Sequence, residues 1–199
     1  MVTLDGLPGA DGQPLFVDFV NTLHWYEGVP IELIGDDADF TVWLAERGLP
    51  VHDVTGCLPA VHLLRGHARA VTEALAARRT PPEADMAALT AALAAPDGHL
   101  VLVGADTPQP QLAFGTDTSD ALLFTFQVAL SLALFLESGD RHRLKLCANP
   151  GCGFAFIDTS TNATRRWCYM RYCGNRLKAR AFRSRSRQRS PRHLDRANA

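Results

Sequence analysis

LKLCANPGCGFAFIDTSTNATRRWCYMRYCGNRLKARAFRSRSR, residues 144–187, contains four of the five cysteines in the chain. They fall into two pairs, Cys147 with Cys152 and Cys168 with Cys173. Each pair has four residues between its members, and fifteen residues separate the pairs. Two evenly spaced pairs suit an ion held tetrahedrally by four thiolates, each pair delivered by one turn. Asn149-Pro150-Gly151 is a turn by its chemistry, because proline presets a negative φ and glycine accepts a positive one. Disulfides are the competing reading. The first fifteen residues hold no Lys or Arg and no apolar run of signal-peptide length, so a reducing, cytoplasmic setting with free thiols is expected. Isolated buried cysteines are the other alternative, and they have no reason to form two equal pairs around a Pro-Gly turn. The expected cofactor is one structural Zn2+ per chain on Cys147, Cys152, Cys168 and Cys173. Four sulfurs leave no open position for a catalytic water.

Around the first pair, Leu144 to Cys147 and Phe154 to Asp158 read as two short strands, and a helix is expected from Cys173 to about Gln188. Knuckle, hairpin and helix in that order are treble-clef-like in outline, with a ligand spacing wider than the usual two-residue knuckle. Arg176, Arg180, Arg183 and Arg187 lie at i, i+4, i+7 and i+11, which is one helix face, and Lys178, Arg185 and Arg189 widen it. No Asp or Glu occurs between Asp158 and Asp195, so nothing local in the sequence neutralises the stripe. Arg176 has a second reading as a structural partner of the cysteine site, alongside Arg165 and Arg166, which can offset the charge of four thiolates. Asp158, Ser160 and Asn162 are expected to cap turns. The end of the chain, residues 191–199, reads as a flexible basic tail.

This segment resembles the CGNR zinc finger. The resemblance is carried by Cys173-Gly174-Asn175-Arg176 and, in order before it, by Phe156, Asp158, Ser160, Asn162, Arg165, Arg166, Trp167 and Cys168. Upstream, Phe16-Val17-Asp18-Phe19-Val20-Asn21-Thr22 resembles the opening of the ABATE domain, which accompanies that finger. The two resemblances cover nearly the whole chain and imply a stress-induced transcription regulator. The implied organisation is an ABATE-like helical domain over residues 1–140 and a CGNR zinc finger over 141–190.

The 199 residues are 47% hydrophobic, enough for one substantial core and a small module. The net charge of −1 hides a split: 15 of the 20 Lys and Arg residues lie in 141–199, whereas acids dominate before residue 140. Such asymmetry points to a polyanionic partner for the basic end; a solvated face is the bland alternative. Residues 1–14 read as an irregular lead-in. A helix packed on several sides is expected from Leu15 through Trp25, with a strand conceivable at its start, followed by a connector over 27–37. Asn21 within this run is a candidate ligand-binding amide, weighed against a buried amide bonded to loop backbone. Asp36-Asp37-Ala38-Asp39 opens a second helix that carries Phe40, Trp43 and Leu44 and stops at Gly48 before Pro50. Leu58 to Arg79 is a long helix with Leu63, Leu64, Ala68, Val71 and Leu75 inward; Cys57, His62 and His67 read as ordinary residues. A further helix spans Glu83 to about Ala94, with Met86, Leu89, Ala92 and Leu93 inward. His99 to Val103 and Gln111 to Phe114 are expected to form a β-hairpin. Ala121 to Leu136 is apolar but interrupted by Thr125, Gln127 and Ser131, which makes it a core helix over 119–137, opened at Thr118 or Ser119, and not a membrane span. The expected fold is thus mainly α: a multihelical N-terminal domain with a β-hairpin, then the small finger with its basic C-terminal helix.

GxGxxG, P-loop, GxSxG and HExxH motifs are missing, so no catalytic site is expected. The favoured function is a DNA-binding regulator whose partner is double-stranded DNA, with the N-terminal domain as a sensor of a small-molecule or protein effector. The alternative is an RNA- or protein-binding zinc module. The charge split adds a further expectation, that the acidic half docks on the basic helix.

Overall fold

Six residues, Leu15–Val20, form helix α1 at the centre of the protein, and its five apolar side chains are completely buried. The structure is a computed structural model and describes residues 2–3, 9, 12–49, 53–104, 108–109, 111–116 and 119–189. Strand β1 (Val2–Thr3) precedes α1, and strands β2 (Leu23–Tyr26) and β3 (Val29–Glu32) follow it. Then come helices α2 (Asp37–Ala45), α3 (Leu58–Ala76) and α4 (Glu83–Ala94), strands β4 (His99–Val103) and β5 (Gln111–Gly115), and helix α5 (Asp120–Glu137). The finger contributes β6 (Leu144–Leu146), β7 (Ala155–Ile157), a π-helical turn (Met170–Gly174) and helix α6 (Asn175–Arg189).

Three helices, α3, α4 and α5, pack on one another, and α1 lies against α3, α5 and β7. Aromatic rings fill the space between them. Phe124 of α5 meets Phe19 at 5.2 Å and Phe40 at 5.1 Å, both edge-on, and Phe16 meets Phe135 at 5.3 Å. Each such ring, fully buried, contributes on the order of 2 kcal/mol through its apolar area. The polar residues of α5 are also accommodated, since Ser131 accepts a hydrogen bond from the Phe16 amide at 3.2 Å. No helix among the described residues is long and apolar enough to cross a membrane.

The mainly helical architecture and the β4–β5 hairpin are as expected from the sequence. Asp36 caps α2 by accepting from the Asp39 amide at 2.8 Å; Ser119 stands at the position before α5, but its side chain makes no capping bond. Several details differ. The lead-in holds a strand, because Val2 and Thr3 pair with Phe114 and Ala113 at the edge of β5. The run from Leu15 is helical only to Val20; it then turns and becomes β2, which pairs with β3 inside the expected connector. The hairpin is closed by Glu27 (φ 55) and Gly28 (φ 85), both left-handed, as a two-residue turn of the primed type requires. Leu63 points outward and is 64% exposed, because the buried stripe of α3 is Val61, Leu64, Ala68 and Val71. Pro50, Thr118 and the tail over 191–199 lie outside the described residues.

The finger is not set apart from the helices. Leu144, Ala155 and Ile157 of the β6–β7 hairpin belong to the same core as α1, α3 and α5.

Candidate metal centre and basic helix

Two different turns deliver the two cysteine pairs. In the first, the Cys152 amide donates to the Asn149 carbonyl at 3.0 Å and the Gly151 amide to Asn149 Oδ1 at 3.4 Å. The Cys147 amide donates across the knuckle to Phe154 at 2.8 Å, which closes the β6–β7 hairpin beneath it. Gly153 has φ +65, and a Cβ there would come within 2.6 Å of the Trp25 ring, so the chain needs glycine twice over. The second pair is spaced by the π-helical turn. The Gly174 amide reaches the Tyr169 carbonyl, five residues back, at 3.3 Å. That wider turn accommodates four residues between Cys168 and Cys173 while their sulfurs stay 3.6 Å apart. Gly174 is crowded as well: a Cβ would lie 2.3 Å from the Met170 sulfur and 2.9 Å from the Trp167 ring.

All four sulfurs lie within 4.8 Å of one another, and all four cysteines are buried. Cys152 and Cys168 are 3.7 Å apart sulfur to sulfur. A disulfide requires about 2.05 Å. A zinc tetrahedron with bonds of about 2.3 Å has an edge of about 3.8 Å, which these separations approach. The surroundings favour thiolates. The amides of Cys168 and Asn149 face the Cys147 sulfur, the Phe154 amide faces Cys152, and Asn149 Nδ2 donates to Cys173 Sγ at 3.5 Å. Without a cation the tetrad cannot ionise together. Hydrogen bonds from Cys152 and Cys168 pull the Cys147 thiol far down, while the bonds to Cys147, together with burial, push Cys152 up to about 12 and Cys168 higher. A divalent ion removes that conflict, so the donor set and the spacing both fit zinc.

The loop between the pairs is organised by Asp158, which is completely buried. It accepts from Lys145 Nζ at 2.6 Å, from the Ser160 amide at 3.0 Å and hydroxyl at 2.6 Å, and from the Arg165 amide at 2.7 Å. Burial alone would raise its pKa. The bonds from Lys145, Ser160 and Arg165 outweigh that and hold the carboxyl well below the usual range. Arg165 stacks on Phe156 at 4.6 Å, and Arg166 on Trp167 at 5.2 Å.

Helix α6 continues directly from the π-helical turn, so its first residues are held by the cysteine site. Lys178, Arg180, Arg183 and Arg185 are exposed along it; the side chains of Arg187 and Arg189 lie outside what is described. The helix is not left alone, as its acid-free sequence implied. Glu27, at the tip of the β2–β3 hairpin, pairs with Arg176 and Arg180 at 3.4 Å each, and the Arg176 guanidinium lies 4.3 Å over the Tyr26 ring and donates to its hydroxyl. Arg176 is therefore half-buried as well as engaged, whereas Arg180, Arg183 and Arg185 further along are exposed.

Asn21 is 4% exposed, and both ends of its amide are occupied: Nδ2 donates to the Ala155 carbonyl at 2.9 Å, and Oδ1 accepts from the Ala155 amide at 2.8 Å. It clamps a finger strand, so the structure holds the buried, backbone-bonded amide weighed against a ligand-binding role in the sequence. Arg69 and Arg65 of α3, overlooked in the sequence, do comparable work. Arg69 donates to Val20 at 2.6 Å, to Leu23 and to Gly153 at 3.1 Å, tying α1, β2 and the first knuckle together. Arg65 forks onto Glu32 at 2.5 and 2.6 Å and also reaches Thr22 at 2.8 Å. Burial pushes the Glu32 carboxyl up, but the bonds from Arg65 and the Ile34 amide and the Arg65 charge leave it lowered. A cation inside an otherwise apolar helix stripe was the signal available for both arginines.

The sequence matches two families. Residues 13–139 match ABATE, described as "Putative stress-induced transcription regulator", and residues 143–186 match the CGNR zinc finger. No curated protein matches the chain. Together with the CGNR match, the four-cysteine cluster suits one structural zinc ion.

Proposed function

The chain belongs to the ABATE family, and on that premise we propose that it is a transcription regulator that grips double-stranded DNA through α6. The observation that carries this reading is the position of the basic residues. Lys178, Arg180, Arg183 and Arg185 are exposed on a helix that starts at Asn175, two residues after Cys173, and no acid interrupts it. Zinc supplies a rigid junction at the helix origin, held by Cys147, Cys152, Cys168 and Cys173. The arginines then meet phosphates, and release of counterions from the duplex drives binding. Like charges at i, i+4 destabilise a helix in isolation, and a polyanion removes that penalty. In this reading the N-terminal elements hold the finger's hairpin in place through Asn21 and its first knuckle through Arg69, and the tip of the β2–β3 hairpin touches the start of the basic face through Glu27.

Fluorescence anisotropy with a labelled duplex tests the reading. The double variant Arg180→Ala, Arg183→Ala is expected to bind on the order of tenfold more weakly at low salt. Its slope of log affinity against log salt should be shallower by about 2, one unit per lost phosphate contact. Metal analysis should still give one zinc per chain. Equal affinity and equal salt slope in the variant overturn the assignment of these residues.

A further inference from the structure

Between the tip of the β2–β3 hairpin and the finger lies a pocket of about 270 Å³. Its lining is dominated by rings: His24 and Tyr26 from the hairpin, and Phe154, Tyr169 and Tyr172 from the finger. His24 meets Phe154 edge-on at 5.5 Å, Phe154 meets Tyr169 at 6.0 Å, and Tyr169 meets Tyr172 at 6.2 Å, so the rings form one connected wall. Cysteines 152, 168 and 173 contribute to the lining as well, so the metal centre fixes its shape. The volume is small next to pockets that take drug-sized ligands, about 300–1,000 Å³, and suits a single planar ring system.

Rings that served only the core would be covered, yet Tyr26 is 52% and Tyr172 51% exposed. They also carry guanidinium groups: Arg176 stacks on Tyr26, and Arg171 stacks on Tyr172 at 4.7 Å. Arg176 lines the pocket and is the first residue of the arginine stripe on α6. Arg180, one turn further, shares Glu27 with it. A backbone whose phosphates meet Arg180 and Arg183 is thereby led to the pocket mouth. Aromatic walls beside a basic track are the arrangement that stacks bases of unpaired nucleotides, and they do so without reading sequence.

We propose that this pocket receives a single unpaired nucleobase of the bound nucleic acid, stacked among Tyr26, Tyr169 and Tyr172, while α6 holds the adjoining phosphates. The proposal rests on the nucleic-acid reading of α6 and adds a preference for a base outside the helical stack.

The test uses the zinc-loaded full chain and three labelled DNAs in anisotropy titrations: a fully paired duplex, the same duplex with one bulged nucleotide, and the same duplex with an abasic bulge. The base-bearing bulge is expected to bind about tenfold more tightly than the abasic one, the scale of one stacked base. Tyr172→Ala should abolish that difference at unchanged zinc content, Tyr172→Phe should keep it, and the paired duplex should bind both variants like the parent protein. Equal affinity for base-bearing and abasic bulges in the parent protein overturns the proposal while leaving duplex binding by α6 intact. Binding of a free nucleoside monophosphate with no preference between the bulges marks a small-molecule site and overturns it as well. Failure to bind any of the three at low salt removes the nucleic-acid reading itself.

Discussion

Asn21 joins two parts of the chain that lie 134 residues apart, through a pair of hydrogen bonds to the amide and the carbonyl of one buried residue, Ala155. Asn21→Ala leaves the amide and carbonyl of Ala155 without partners in a dry site. Each orphaned group costs about 1–3 kcal/mol, so the variant should lose several kcal/mol in urea unfolding while still binding zinc when folded. Asp158 supplies a pH-dependent counterpart. Its folded-state pKa lies below the unfolded value of about 3.9, so its contribution is complete above that value and disappears as pH falls through the folded one. Asp158→Asn should accordingly be less stable than the parent at pH 7, with the gap closing below about pH 4. Comparing the two proteins at each pH by urea unfolding cancels the loss of zinc common to both. The cysteines were legible in the sequence because ligand identity and spacing are local properties. Asn21 was legible as a buried amide but not by its partner, and Arg65 and Arg69 not at all, because the residues they bond lie 33 to 134 positions away and nothing in the sequence names them.

The β2–β3 hairpin contributes no fully buried residue to the main core, yet it shapes the arrangement of the site. The Trp25 amide donates to the Cys152 carbonyl at 2.9 Å, and the Gly28 amide reaches Gly151 at 3.4 Å, so the hairpin lies across the first knuckle. Its tip carries Glu27 to Arg176 and Arg180. If duplex phosphates take those arginines, Glu27 competes with them. Glu27→Gln should raise duplex affinity about two- to fivefold at low salt, in keeping with about 0.2–1 kcal/mol per exposed ion pair. Anisotropy titrations check this, and an unchanged affinity would mean that the pair and the duplex do not compete. Helix α2 was readable from the acids at its start, α4 from its inward residues and α5 from its long apolar run. The hairpin was hidden for two reasons. Leu23 and Trp25 resume the apolar run of α1 just past Asn21-Thr22, and Glu27-Gly28 lacks the Asn or Asp that usually signals a primed turn. The π-helical turn was equally invisible, since its only trace is the even spacing of the second cysteine pair.

At the scale of the whole molecule, the charge split read from the sequence is bridged, among the described residues, by a few contacts at the hairpin tip, while apolar packing does most of the joining. Leu144, Ala155 and Ile157 place the finger's hairpin in the same core as α1 and α5. Removing zinc should therefore disturb more than the finger. Chelation is expected to lower the midpoint of a single calorimetric transition that includes the helices, and a separate early transition with the helical melt unchanged would contradict the shared core. This coupling was not legible, because two strands of three residues each look too short to belong to anything but the metal site.

The place of β7 in that core also sets an order of events during synthesis. Residues 155–157 leave the ribosome after every helix except α6, at a pace of about 5–20 residues per second. Until they emerge, α1 lacks one wall, and Asn21 and Arg69 wait for carbonyls that have not yet been made. The core around α1 is therefore completed only once the finger's second strand has been made.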